Sequence, residues 1–172
     1  PHETVALAFS ITEEAEEDGQ YGSIASRYTK ALARSMASTK EIKAANILNN
    51  ATSNTDPYGG GDGVALLSAS HPTTNGNQSN TLATAADLSE TSLESMLIQI
   101  ADMKDDRGLR VAAQGTTLII PTAYTFTAER LLESQLRTGT ADNDINAIRN
   151  GGYLPQGYHI MRRLTDSDAF FI

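Results

Sequence analysis

The chain has 172 residues and a formal net charge of −8, from 21 acidic and 13 basic side chains. This balance argues against strong or sequence-specific nucleic-acid binding, which needs Lys and Arg to displace counterions, and against docking on anionic membranes. The absence of Cys excludes disulfides, zinc-thiolate sites, iron–sulfur clusters and Cys nucleophiles. No apolar run approaches the roughly 18 residues of a membrane span, so the sequence predicts no membrane partner.

The apolar content is low for a chain of this length. Leu, Ile, Val and Phe together number 35 of 172 residues, close to the limit of about 20% below which chains rarely fold alone. We therefore expect part of the stability to come from neighbouring copies. The chain begins at Pro1 and stops on the apolar run 169–172, and we expect it to be a fragment of a longer protein with both ends incomplete.

The first third of the chain predicts a strand and one long helix. Residues 4–12 alternate apolar with small or hydroxyl side chains, the pattern of a half-buried strand whose apolar face is Val5, Leu7, Phe9 and Ile11. An acidic run follows at 13–18. Residues 22–49 then carry an apolar stripe at helical spacing, with many Ala and no Pro. A helix of about 40 Å is predicted here, a strut rather than a buried core helix.

The middle of the chain predicts a long polar loop and a second helix. Residues 49–87 are polar and include the Gly-rich run 59–63, and such long loops are usually functional or mobile. Asp87 and Glu90 have the spacing of a capping box. They predict a helix over 87–107 with an apolar face formed by Leu93, Met96, Leu97, Ile100 and Ala101.

The last third predicts short strands around one helix. The strands are expected at 109–113, 117–120, 158–164 and 169–172, and a turn at 165–168 joins the last two. Pro121 ends the second strand, and Thr122 caps a helix over 123–136 with Phe126, Leu131, Leu132 and Leu136 facing inward. Residues 137–157 are predicted to form another polar loop. The predicted fold class is α+β, with one dominant helix and a small mixed sheet.

Two motifs invite a catalytic interpretation, and both fail in context. The Gly-rich run 59–63 has no following Lys-Ser/Thr and no strand leading into a helix, so it is predicted to be an ordinary loop rather than a phosphate loop. Ser70 and His71 could suggest a nucleophile and its base. Adjacent residues rarely face each other productively, no Gly-x-Ser-x-Gly elbow is present, and a turn before Pro72 explains the pair more simply.

The candidate ligand-binding residues are equally weak. His2, His71 and His159 lack the spacing of a metal site. Residues 142–144 resemble half of a calcium loop through Asp142, Asn143 and Asp144, but no bidentate Glu follows, so a solvated turn is predicted. The acidic run 13–18 is interpreted as an exposed run before a helix rather than as an acid/base pair, and residues 105–108 are interpreted as a charged helix end. The sequence thus predicts no catalytic, cofactor-binding or metal-binding residues.

Several segments, taken in order, resemble the major capsid proteins of tailed bacteriophages, which have the Hong Kong-97-like fold. The stretch Gly63-Val-Ala-Leu-Leu-Ser-Ala-Ser-His-Pro72 is similar to the segment after the long helix in Mu-like phage head subunits. The other segments that carry the resemblance are 9–12 leading into 28–35, 88–103, 118–121, 128–132, 141–146 and 164–171. Together they cover most of residues 4–172.

The resemblance implies a structural protein of the virion without catalysis or cofactors. It places an extended-loop strand and the spine helix of the peripheral domain in 1–50, most of the axial domain in 51–157, and strands returning toward the peripheral domain in 158–172. Subunits would assemble in the host cytoplasm into hexamers and pentamers that enclose DNA without sequence-specific binding. Scaffold, portal and cement proteins are the other implied partners.

Two alternatives stay open at this point. One is a phage tail or adhesin-type binding module that uses 50–81 as a recognition loop. The other is a hydrolase that uses Ser70 or His71, or an ion-assisted site near Asp142 and Asp144. The capsid interpretation adds two expectations: Arg130 or Arg137 meets acidic groups mainly on a neighbouring subunit, and Leu32→Asp or Met36→Asp prevents folding.

Overall fold

The computed structural model describes residues 4–19, 21–55, 57–137 and 144–172. The chain divides into two compact units, Pro1–Asn46 and Ile47–Ile172. Its elements are mixed α and β with one long helix, as predicted, and they include two small sheets where the sequence predicts one. No helix within the described ranges is both long and apolar enough to cross a membrane.

The first unit contains a short helix α1 (Glu13–Glu17) and the greater part of the long helix α2 (Tyr21–Asn49). The predicted long helix is confirmed to within one residue. The strand predicted at 4–12 is wrong, because these residues form no ladder with any described strand. They lie along α2 instead: Val5 lies in a recess with Met36, and the Phe9 ring is 5.7 Å from the Tyr28 ring.

Within the second unit, the predicted polar loop 49–87 contains a hairpin that the sequence analysis missed. Strands β1 (His71–Thr73) and β2 (Gly76–Gln78) pair antiparallel, with His71 opposite Gln78. The hairpin is short and its residues are largely polar, so it lacks the apolar alternation that predicts strands.

The second helix is shorter than predicted. It is α3 (Glu90–Ala101), and its N-cap is Ser89 rather than Asp87. The Ser89 hydroxyl accepts from the Ser92 amide at 3.2 Å, while the Ser92 hydroxyl accepts from the Ser89 amide at 2.9 Å. The predicted strand 109–113 is also wrong: this stretch contributes one isolated bridge between Lys104 and Arg110.

The second of this unit's two sheets is small and mixed. β3 (Leu118–Ile120) pairs in parallel with β4 (Tyr158–Ile160), and Ile119 also forms an antiparallel bridge with Phe171. The strands predicted at 117–120 and 158–164 are therefore present, in shortened form. The strand predicted at 169–172 is reduced to the Phe171 bridge, since only one residue pairs there.

The third predicted helix is split. A 3-10 turn (Thr122–Tyr124) precedes α4 (Thr125–Glu133), and a further helix α5 (Ala147–Gly151) lies in the predicted loop 137–157. Leu131 and Leu132 are buried as predicted. Phe126 is 72% exposed, because it lies about 200° around the helix from buried Ala128. Leu136 lies beyond the helix end and is exposed as well.

These elements enclose one hydrophobic core in the second unit. Leu93, Leu118 and Ile120 are its largest completely buried side chains. Around them pack Leu88, Ala128, Leu131, Leu132, Ile148, Leu154 and Phe170. The core thus joins α3, β3, α4 and α5 and holds the flanking loops in place.

Candidate functional site

The Gly-rich run 59–63 forms a closed turn. The Gly60 amide donates to the Val64 carbonyl at 2.6 Å, and the Gly63 amide donates to the Gly60 carbonyl at 3.3 Å. The Asn54 side-chain amide donates to the Gly63 carbonyl at 2.7 Å. These groups bond to one another, and the next described element is a strand rather than a helix. The geometry of a phosphate loop, with free amides at a helix N-terminus, is not met here.

His71 is paired with an acid rather than with Ser70. Its Nδ1 lies 2.6 Å from Asp62 Oδ2, while Ser70 bonds Ser68 through its amide and hydroxyl. The His71 Nε2 atom is buried and has no hydrogen-bond partner in the described part of the chain. A general base must reach the proton it removes, and neither ring nitrogen of His71 is placed to take one from Ser70.

The loop around His71 is held by a network of side-chain hydrogen bonds. Asn80 accepts from the Ser68 amide at 2.8 Å and donates to the Leu66 carbonyl at 2.7 Å. Gln99 of α3 donates to the carbonyls of Ser79 and Thr81, each at 2.9 Å. The hairpin end is tied as well, since the Thr74 amide donates to Asp106. Segment 50–81 is thus anchored at several points along its length.

No described group of three or more His, Asp or Glu residues could hold a metal ion. His159 lies on β4 and is exposed, so it is separate from the paired Asp62 and His71. Asp144 is exposed, and its carbonyl accepts from the Arg137 amide at 2.9 Å. His2, Asp142 and Asn143, which also entered the sequence argument, lie outside the described residues.

The acidic run 105–108 forms a turn after α3. The Asp105 side chain accepts from the amides of Arg107 and Leu109 at 2.9 and 2.8 Å. The run 13–18 forms the exposed helix α1 and the turn that ends it. Neither run places two carboxylates around a buried space where a substrate would react.

Arg137, one of the two arginines expected to meet acidic groups on a neighbouring subunit, has an acidic partner in its own chain. Its Nε lies 2.8 Å from Glu90 Oε2. This hydrogen bond, and then the charge of Glu90, raise the pKa of Arg137. Arg130 lies on α4, is exposed, and has no ion pair among the described residues.

A cleft of about 610 Å³ lies in the second unit. Its walls include Leu67, Met96, Ile100 and Phe171, and three carboxylates contribute to its lining: Asp87, Asp166 and Asp168. The pKa of Asp168 is raised by its hydrogen bond with Asp166 and by that neighbour's charge, while the same contact lowers the pKa of Asp166. The described lining holds no His, Lys or Arg, and no nucleophile with a base is assembled here.

The most unusual surface belongs to the first unit. Of the described side chains of α2, only Ala45 is buried. Large apolar side chains of residues 4–12, here called the arm, and of α2 stay exposed, with 40% of Val5, 52% of Leu7, 40% of Phe9 and 53% of Tyr28 accessible. Large apolar side chains that are exposed close together are typical of protein–protein interfaces.

Comparison with known families decides the class of the protein. The model of a family described as phage capsid protein matches residues 2–172. The chain belongs to the phage capsid protein family. No curated protein and no solved structure matches it significantly.

Membership gives this capsid protein a structural role in the virion capsid. The family is structural and non-enzymatic, and it implies assembly with other capsid subunits. The exposed apolar surface of the first unit is then the candidate functional site.

Proposed function

We propose that this chain is a subunit of an icosahedral phage head with the Hong Kong-97-like fold, of the Mu-like type. Copies assemble in the host cytoplasm into hexamers and pentamers that enclose the DNA genome. Residues 1–50 supply the extended-loop strand and spine helix of the peripheral domain. Residues 51–157 form most of the axial domain, and 158–172 return toward the peripheral domain. Scaffold, portal and cement proteins are the further partners that this function calls for.

The observation that carries the proposal is the exposed face of the arm and α2. A helix of 29 residues with one buried described side chain gains little from tertiary packing, which supplies most helical stability in proteins. Binding of neighbours to the folded form would add the missing stability by mass action. Assembly into a shell therefore explains how this helix can be stable although its apolar side chains are exposed within one subunit.

The charge of the chain supports the same function. With a net charge of −8, a shell of these subunits would hold DNA by enclosure, since tight binding requires basic side chains that replace counterions. A container that must release its genome benefits from such weak contacts.

The decisive experiment is electron microscopy of the full-length gene product, expressed alone and with any scaffold-like neighbour gene. Shells, or rings with five- or six-fold symmetry, are expected. The Leu7→Asp variant should fold but fail to assemble, because a charge is placed on an apolar side chain that the proposed contact covers. Ala6→Asp adds the same charge at the adjacent small residue and serves as the matched control.

A folded monomer that never assembles under either condition would overturn the proposal. If that monomer also bound a ligand tightly, the tail or adhesin-type module would replace it. Equal shell formation by both Asp variants would show that the arm does not form the contact.

A further inference from the structure

We propose that Asp62 and His71 form a protonation-dependent latch that fastens the glycine turn 59–64 to the first strand of the hairpin. The inference concerns the order of one subunit's loop and does not rest on the proposed function. The latch is closed when the imidazole is charged and weakens when it becomes neutral.

The position of the pair makes it a latch rather than an ordinary surface contact. His71 begins β1, and Asp62 lies in the glycine turn nine residues earlier. Asp62 also accepts, through Oδ1, a 3.3 Å hydrogen bond from the Val64 amide, so its carboxylate holds its own turn and the imidazole together. Within the described part of the chain, this contact joins the turn to the hairpin directly.

The surroundings of the ring leave Asp62 as its charged partner. Asn80 and the backbone of Leu66 are its other polar neighbours, and Gln78, opposite His71 on β2, is uncharged. Nε2 is buried without a hydrogen-bond partner. The imidazole is therefore held through Nδ1, and the loss of its charge weakens the contact with Asp62.

The direction of the pH effect follows from both groups. The hydrogen bond to Asp62 raises the pKa of His71 above its ordinary 6.5, against the opposing effect of burial. The stabilisation that charged His71 contributes is complete below pH 6.5 and is lost as the pH rises through the raised pKa of His71. The hydrogen bond from His71 lowers the pKa of Asp62 below 3.8. The stabilisation that ionised Asp62 contributes is therefore complete above pH 3.8 and is lost as the pH falls through the lowered pKa of Asp62. The latch is thus closed between pH 3.8 and 6.5. It weakens as the pH rises through the raised pKa of His71 or falls through the lowered pKa of Asp62.

Hydrogen–deuterium exchange of the full-length protein, read by mass spectrometry on peptides covering 59–64, tests the latch. At pH 6, Asp62→Asn should raise amide exchange about three- to tenfold over the unmodified protein, the range expected when a net hydrogen-bond contribution is lost. At pH 9 the ratio should shrink, because His71 has then lost its charge in both proteins. Glu129→Gln, at an exposed position of α4, removes one carboxylate elsewhere and should give a ratio near one at both pH values.

Exchange at the imidazole C2–H provides a second readout, since it follows the protonation of each histidine separately. Asp62→Asn should move the midpoint of His71 to lower pH and leave that of exposed His159 unchanged. An exchange ratio that is the same at pH 6 and pH 9, or an unmoved His71 midpoint, would overturn the latch. Because both readings work on free subunits, failure of shell assembly would not affect them.

Discussion

Replacing Leu93 by Ala tests the core of the second unit most directly. Leu93 is completely buried on α3 and belongs to the cluster that joins this helix to β3 and α4. Three carbon atoms are removed, at about 0.8 kcal/mol for each buried methylene-sized group, and the cavity left behind adds to this loss. The free energy of unfolding should therefore fall by about 2–5 kcal/mol.

The same helix offers a matched control. Ile98 also lies on α3 but is 63% exposed, so Ile98→Ala should change the free energy of unfolding by less than about 0.5 kcal/mol. Both variants introduce Ala, the best helix former, and any gain in helix propensity applies to both.

Urea unfolding of the unassembled full-length subunit, followed by circular dichroism, measures the difference. For a domain of this size, a loss of about 3 kcal/mol corresponds to a fall in Tm of roughly 6–12 °C. A midpoint for Leu93→Ala that matches that of Ile98→Ala would refute the placement of α3 in the core.

Two further substitutions test local hydrogen bonding. Ser89→Ala should lower the free energy of unfolding by about 1 kcal/mol through loss of the N-cap, as measured by urea unfolding. Ser95→Ala, on the exposed face of the same helix, should be close to neutral. Equal effects of the two substitutions would contradict the cap. Asn146→Ala should lower the free energy of unfolding by about 2–4 kcal/mol. This buried side chain caps α5 at 3.2 Å and donates to two carbonyls at the end of α4, at 2.6 and 3.1 Å. An Asn146→Asp variant as stable as the native protein would show that those donors are unimportant.

The sequence predicts the elements whose stability is local. Residues 22–49 contain Ala-rich helix formers without an interior breaker, and α2 matches the predicted bounds to within one residue. The end of α3 was predicted six residues too late because periodicity ignores competing side chains. Asp105 accepts from two backbone amides beyond the helix, and such local bonds favour a turn over further helix.

The wrong strand prediction at 4–12 has a different cause. Alternation correctly singles out side chains that contact α2, since Val5 and Phe9 both lie against it. A strand also requires a partner with free backbone groups, and no residue in the described ranges supplies one. The pattern in a single segment carries information about one face, whereas pairing depends on a second segment.

The bonds that fix segment 50–81 were beyond sequence reasoning for a related reason. Asp62 and His71 are nine residues apart, and Asn80 reaches back to Ser68 across twelve; no periodicity links such positions. The segment looked like a free recognition loop because it is polar and rich in Asn, Ser and Thr. Several of these side chains also hold the segment, since Asn54, Thr73 and Asn80 donate to backbone carbonyls within it. In a subunit with few apolar residues, polar side chains thus take over part of the ordering that a larger core would provide, and the loop becomes a shaped surface that neighbours can meet.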